Sequence, residues 1–116
     1  MFHGTDVDSA LSFLNGRALN AAIAAGKKVD GPAGFFMATV KGDAVFFAAR
    51  RAGTVLEVNL SERAVRALRS QGMIQQAIPP GKTARFAGDE FIVPTRAFGT
   101  FNDLLQAGEI SFGPGL

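Results

Sequence analysis

The sequence predicts one domain of the α+β class, in which short strands and short helices follow one another without regular alternation. Residues 54–60, TVLEVNL, have the side-chain period of a strand and form the clearest strand in the chain. Residues 61–69, SERAVRALR, follow as an amphipathic helix capped by Ser61, with apolar side chains on one face and arginines on the other. At 116 residues with 47% hydrophobic content, the chain is long enough for one core and too short for two domains of ordinary size.

The remaining elements are predicted from turn residues and apolar periodicity. Before residue 54 we expect, in chain order, a strand over Met1–Gly4, a helix that starts within Thr5–Asp8 and ends at Gly16, a helical or loose Ala-rich stretch over Arg17–Gly26, a strand over Gly34–Thr39 and a helix from about Gly42 to Arg51. After residue 69 we expect strands over Thr83–Ala87 and Glu90–Val93 and a short final helix over Ala97–Gln106.

The composition excludes several classes of protein and site. With no cysteine and a single histidine, the chain has no disulfide, no thiolate metal site and no multi-histidine metal site. No apolar run approaches the roughly 20 residues that a membrane-spanning helix needs, and the opening MFHGT leads us to expect no export signal. All twelve basic residues lie between Arg17 and Arg96, and this basic middle weakly favours a ligand that carries phosphate.

Common catalytic motifs are absent from the sequence: it has no phosphate loop, zinc-protease helix, nucleophile elbow or calcium loop. α+β folds tend to carry functional residues where strands end or helices begin. The candidates at such positions are His3-Gly4-Thr5 at the end of the first strand, Phe36 with Phe46 or Phe47, and Glu90 at the start of a later strand.

Each candidate also has a purely structural interpretation. A lone histidine near an N-terminus is commonly structural or exposed, and a phenylalanine at strand or helix spacing usually lies in the core. Glu90 follows Gly88-Asp89 and is compatible with a solvated turn, and the arginines of the amphipathic helix are most simply a solvated face. An acid directly before Phe-Ile-Val must nevertheless lie at the edge of the sheet's apolar body, which favours a functional Glu90.

In chain order, the segments FHGT, GFFMAT, DAVFFA, VLEV and DEFIVP resemble the ADP-ribosyltransferases of the diphtheria-toxin and poly(ADP-ribose) polymerase type. Those enzymes share a His-Tyr-Glu triad and a second tyrosine in the helix after the first. The resemblance places His3 at the triad histidine, Phe36 at the triad tyrosine, Phe47 at the second tyrosine and Glu90 at the triad glutamate. Ten residues separate Phe36 from Phe47, which is the family spacing. The resemblance also implies a compact fold of two small packed antiparallel or mixed sheets with flanking short helices.

The resemblance implies that NAD is the substrate and that no metal is required. As the nicotinamide leaves, the ribose gains positive charge, and the Glu90 carboxylate would stabilise that charge in the transition state. The main-chain N–H and C=O of Gly4 would hold the nicotinamide amide, because glycine lets a ligand approach the backbone closely. The other expected contacts are ring stacking by Phe36 and Phe47 on the nicotinamide, positioning of the adenosine ribose by His3, and a hydroxyl contact from Thr5.

Three departures from the family pattern narrow the expected activity. Phenylalanine replaces both tyrosines, so these rings contribute stacking without a hydroxyl group. Gly88 stands where the arginine-modifying branch has a second acid or amide, so transfer to arginine is disfavoured. The chain is shorter than a polymerase catalytic domain, so elongation of an ADP-ribose chain is not expected.

A compact domain without cysteine resembles the toxin domains at the C-termini of large secreted or contact-delivered bacterial proteins. We therefore expect a mono-ADP-ribosyltransferase toxin domain that is delivered as part of a larger protein and acts in the cytoplasm of a target cell. The ADP-ribose acceptor would be a macromolecule or, for an NAD glycohydrolase, water. A cognate immunity protein is the expected partner, and no membrane is expected.

Two further classes of function stay open on the sequence. In a metal-independent RNase toxin, His3 would be a general acid or base, and lysine or arginine would stabilise the phosphorane. In a non-enzymatic binding domain, the pocket for a nucleotide would be degenerate, which the two missing tyrosines favour.

Overall fold

The computed structural model describes residues 1–16, 18–19, 34–50, 52–81 and 85–115. The strands in this part of the chain are β1 (Phe2–Thr5), β2 (Gly34–Ala38), β3 (Thr54–Leu60), β4 (Ile74–Ala77), β5 (Asp89–Pro94) and β6 (Ile110–Pro114). The α-helices are α1 (Val7–Leu14), α2 (Lys41–Ala49), α3 (Glu62–Ser70) and α4 (Phe98–Gln106), with a 3-10 turn over Thr95–Ala97 before α4. The predicted α+β class is confirmed.

The six described strands form one antiparallel sheet in the order β4-β5-β2-β1-β3-β6, where the resemblance implied two small sheets. Four of the five neighbouring strand pairs have four or five registered residue pairs each. In the described residues β1 and β2 are registered at Phe2–Ala38 alone. The sheet therefore consists of two three-stranded halves, β4-β5-β2 and β1-β3-β6, that are weakly joined between β1 and β2.

Helices cover the two faces of the sheet unequally. On the face that we call the main-core face, α1, α3 and α4 pack on the strands; buried members of this core include Phe13, Phe35, Met37, Val58, Leu68, Phe91, Val93 and Phe101. On the opposite face, which we call the α2 face, a smaller cluster lies beneath α2; it contains Ala38, Ala44, Ala48 and Val55, with Phe2 packed against it. Strand residues of one parity thus face the main core, and those of the other parity face α2.

Most described elements follow the sequence prediction to within one or two residues. β3 has the predicted bounds, and Ser61 caps α3 by accepting a hydrogen bond at Oγ from the Ala64 N–H at 3.0 Å. The last helix begins at Phe98, one residue later than predicted, because the 3-10 turn precedes it. Local periodicity and capping suffice for these elements.

The edge strands are where the prediction and the structure differ. The sequence pattern does not predict β4 (IQQA), which lacks apolar alternation, or β6 (ISFGP), which contains glycine and proline. Each pairs with a single neighbour at one end of the sheet. Residues 85–87 of the strand predicted over 83–87 are irregular, whereas 83–84 lie outside the described residues. The predicted stretch over 17–26 also lies outside them, apart from residues 18–19.

Gly4 determines how closely α2 lies on the sheet. A Cβ atom built on Gly4 would lie 2.9 Å from the Ala48 nitrogen and closer still to the Ala44 carbonyl oxygen. Both are backbone atoms of α2, so no side-chain movement relieves the clash. Any side chain at position 4 would push α2 away from β1, which is a structural reason for this glycine beside the expected ligand contact.

We expect Gly4→Ala to lower the free energy of unfolding by about 1–3 kcal/mol, because it overpacks fixed backbone. Gly42 in the first turn of α2 is the matched control, since nothing lies within 4 Å of a Cβ built there. Gly42→Ala should leave stability unchanged or raise it by about 0.5–1 kcal/mol. Urea unfolding followed by circular dichroism measures both. Equal unfolding free energies for the two variants would contradict the close packing of α2 on β1.

Candidate functional site

Glu90 is a buried carboxylate in the β4-β5-β2 half of the sheet, with 9% of the residue exposed. Its neighbours across the sheet are Ala38 on β2 and Gln76 on β4. Because the adjacent Phe91 belongs to the main core, strand alternation directs Glu90 to the α2 face. The predicted acid therefore lies within the sheet rather than in a solvated turn.

The two oxygens of Glu90 have different surroundings. Oε1 accepts a hydrogen bond from the Gln76 amide nitrogen at 2.9 Å. Among the described residues Oε2 has no hydrogen-bond partner. Buried polar groups are normally paired, since leaving one unpaired costs about 1–3 kcal/mol. Oε2 is therefore available to a ligand or a water molecule.

Asp43 of α2 holds the segment that leads into β5. Its carboxylate, 5% exposed, accepts hydrogen bonds from the Ala87 N–H at 3.0 Å and the Gly88 N–H at 2.9 Å. A Cβ atom at Gly88 would lie 2.7 Å from Cγ2 of Val40. The family resemblance marks Gly88 only as the position of a missing second acid, whereas the structure gives this glycine a packing reason. No motif predicts Asp43 or Gln76, because their partners are distant in sequence.

Phe36 shares a face of the sheet with Glu90. It lies on β2, next to β5, and is registered with Ile92, two residues along β5 from Glu90. Phe36 is 37% exposed, unlike Phe35 and Met37, which belong to the main core. The structure thus leaves a large aromatic surface accessible one strand spacing, about 4.8 Å, from the Glu90 strand.

His3 lies at the junction between the two halves of the sheet. Its ring stacks on Phe35 at a centroid distance of 4.2 Å and meets Phe13 edge-on at 5.9 Å, so it packs on the main-core face. Its Nδ1 lies 2.7 Å from the Phe36 carbonyl oxygen. A carbonyl oxygen only accepts, so Nδ1 carries the proton in this bond. The His3 and Glu90 side chains therefore leave the sheet on opposite faces, and their strands are two spacings, about 10 Å, apart.

The main-chain N–H and C=O of Gly4 point towards β2, into the unregistered stretch beyond Phe2–Ala38 that we call the gap. Met1 exchanges hydrogen bonds with Val58 of β3, at 2.8 Å and 2.6 Å. Along a strand, the main-chain N–H and C=O groups of successive residues point alternately to the two neighbouring strands. The main-chain groups of His3, like those of Met1, therefore point towards β3, and those of Gly4 point towards β2. The register with β2 stops at Phe2, so the polar groups of Gly4 lie outside that ladder. Thr5, the next residue, is 5% exposed.

Phe47 belongs to an aromatic cluster with Phe46 of α2 and Phe86. Its ring stacks on Phe86 at 5.4 Å with an interplanar angle of 5°, and Phe46 meets both rings edge-on at 5.7 Å and 5.3 Å. Phe86 directly precedes the segment that Asp43 holds. One face of the Phe47 ring is therefore covered by Phe86, and Phe46 is the more exposed of the two helical phenylalanines.

Glu90 and Phe36 thus share the α2 face of the neighbouring strands β5 and β2, and Gly4 lies on β1, the next strand across the junction of the two sheet halves. An open groove of about 430 Å³ lies elsewhere, between the C-terminal ends of α1 and α4 and the start of β6. It shares Phe13 with the packing of His3, but neither Glu90 nor Phe36 lines it. We therefore place the candidate site at the junction and not in the groove.

Among the described residues, no group of three histidine, aspartate or glutamate side chains is arranged to hold a metal ion. The helices in the same part of the chain are too short or too polar to cross a membrane. No known protein family, curated protein or solved structure matches the chain.

We expect Asp43→Asn to lower the free energy of unfolding by about 1–3 kcal/mol. Asparagine offers one acceptor oxygen where aspartate offers two, so one of the two N–H groups that bond to the buried side chain loses its partner. Asp103→Asn, at an exposed position of α4, is the matched control. Urea unfolding measures stability, and amide hydrogen exchange at residues 87 and 88 measures the local contact. Unchanged exchange at both amides would contradict the role of Asp43.

Proposed function

We propose that this chain is an ADP-ribosyltransferase-like domain that cleaves the nicotinamide–ribose bond of NAD. The buried Glu90 carboxylate carries the proposal, because one oxygen is held by Gln76 and the other has no hydrogen-bond partner among the described residues. A buried carboxylate of this kind is costly unless a ligand or water completes its hydrogen bonds. The accessible Phe36 ring on the same face supplies a stacking surface next to it.

The proposed reaction separates charge at the sugar. The bond between ribose C1′ and the nicotinamide nitrogen breaks, and its electron pair leaves with nicotinamide, which becomes neutral. The ribose then carries positive charge until an acceptor oxygen or nitrogen bonds to C1′ and releases its proton. A fixed carboxylate beside C1′ stabilises this charge mainly in the transition state, which is the condition for accelerating the step.

The substrate would span the junction between the two sheet halves. Phe36 would stack on the nicotinamide ring, and the Gly4 main-chain groups in the gap would hold its amide. His3 would act indirectly, because its ring lies on the opposite face of the sheet, against Phe35, and pairs with the Phe36 carbonyl. The contact with the adenosine ribose that the resemblance implies for His3 is not part of this arrangement. Phe47 would stack through the ring face that Phe86 leaves uncovered.

The biological setting is part of the same proposal. The domain would be a bacterial toxin that transfers a single ADP-ribose to a macromolecule in the cytoplasm of a target cell, with water as the alternative acceptor. It would be delivered within a larger secreted protein. A cognate immunity protein would protect the producing cell by covering the Glu90 side of the sheet.

Glu90→Gln should lower the rate of nicotinamide release from NAD by about 100- to 1000-fold, the range for removing one electrostatic group from an active site. The substitution keeps the size of the side chain and removes its charge. Glu57→Gln, at an exposed position of β3, should retain the wild-type rate. Chromatography of free nicotinamide measures all three proteins, and equal rates for Glu90→Gln and wild type would contradict the assignment.

The same preparation distinguishes the alternatives. An ADP-ribosyl mass added to a macromolecule of a target-cell lysate supports transfer, and nicotinamide release without such a mass supports an NAD glycohydrolase. RNA cleavage without NAD supports the RNase alternative. Absence of both activities supports a non-enzymatic binding domain.

Phe36→Leu should raise the KM for NAD about fivefold, because aromatic stacking contributes about 1 kcal/mol beyond burial. Phe46→Leu is the matched control, since the two phenylalanines are similarly exposed, 37% and 41%. Steady-state kinetics of nicotinamide release measures both variants. A larger KM for Phe46→Leu than for Phe36→Leu would contradict the assignment of Phe36 and would indicate that the nicotinamide stacks on α2 instead of β2.

A further inference from the structure

Two consecutive glutamines on the edge strand β4 each donate a hydrogen bond to an acid of β5. Gln76 lies directly opposite Glu90, and its Nε2 donates to Glu90 Oε1 at 2.9 Å. Gln75 lies opposite Phe91, and its Nε2 donates to Asp89 Oδ2 at 2.8 Å. Strand alternation puts the first pair on the α2 face and the second on the main-core face. Only the first pair belongs to the candidate site.

The kind of partner at Glu90 matters for the proposed chemistry. A lysine or arginine beside the carboxylate would form an ion pair and offset its negative charge. An amide donates a hydrogen bond and leaves the full charge in place to face a cationic ribose. In the described part of the chain no basic side chain pairs with Glu90, and Gln76 is its hydrogen-bond partner.

Gln76 also restricts where the carboxylate lies. A glutamate side chain has three rotatable bonds, and the bond from Gln76 holds one of its oxygens. The other oxygen is then left for a ligand in a defined direction, which is the preorganisation that charge stabilisation in a transition state requires. Catalysis is sensitive to this placement, since a shift of about 1 Å can cost about 100-fold in rate.

We propose that Gln76 is a positioning residue for Glu90. It acts through Glu90 and does not touch the substrate: it fixes Oε1 so that Oε2 is presented to the ribose. This inference rests on the proposed function, because it assigns Gln76 a part in the cleavage of NAD.

The test compares Gln76→Leu with Gln75→Leu, a matched pair on adjacent exposed positions of one strand. Gln76→Leu should lower kcat for nicotinamide release by about 10- to 100-fold and leave the KM for NAD within about twofold, since binding contacts are unchanged. Gln75→Leu should retain both constants. Circular dichroism checks folding, and Gln76→Asn, with an amide one methylene shorter, replaces the leucine variant if that variant does not fold.

A second measurement needs no activity. In ¹⁵N spectra of the protein without NAD, Glu90→Ala should move the side-chain amide signals of Gln76 and leave those of Gln75 in place. A wild-type kcat in the Gln76 variant, or unmoved Gln76 signals, overturns the positioning role while the proposed function stands. Absence of nicotinamide release from the wild-type protein overturns the proposed function and the positioning role together.

Discussion

The interrupted pairing between β1 and β2 is the constraint on which the candidate site depends. A ladder continued beyond Phe2–Ala38 would consume the main-chain groups of Gly4 in sheet hydrogen bonds and close the gap next to Phe36. The His3 side chain instead pairs with the Phe36 carbonyl at 2.7 Å, which satisfies a backbone acceptor that the ladder no longer serves. The ladder between β1 and β2 is thereby interrupted in the middle of the sheet without leaving that carbonyl unpaired.

Helix α2 compensates for the weak junction by contacting both halves of the sheet. It lies directly on β1 because Gly4 has no side chain, and it holds the segment before β5 through the two hydrogen bonds that Asp43 accepts. Substitutions at either contact should be destabilising. At Gly4 the backbone of β1 lies against the backbone of α2, and at Asp43 a buried carboxylate accepts both hydrogen bonds. The position of Glu90 relative to Gly4 is therefore set through α2 as well as through strand pairing.

Several features of the site are readable from sequence, and others are not. An acid before Phe-Ile-Val predicts a strand that starts near Glu90, and β5 spans Asp89–Pro94. The burial of Glu90 between β2 and β4 is not readable from that pattern. The role of Gln76 cannot be read from the sequence. The segment IQQA has no strand pattern, and Glu90, the hydrogen-bond partner of Gln76, is 14 residues away. The sequence likewise does not distinguish the roles of Phe46, Phe47 and Phe86. Only the packing of their rings shows which ring faces are covered.

By itself the sequence determined the α+β class, the strand over Thr54–Leu60 and the Ser61-capped helix, because period and capping act between residues a few positions apart. Tertiary structure decided the strand order, the break between β1 and β2 and the surroundings of Glu90. These features depend on contacts such as His3 with Phe36, 33 residues apart, and Asp43 with Gly88, 45 residues apart. No local pattern encodes such pairs, since each forms only when packing has brought the two segments together.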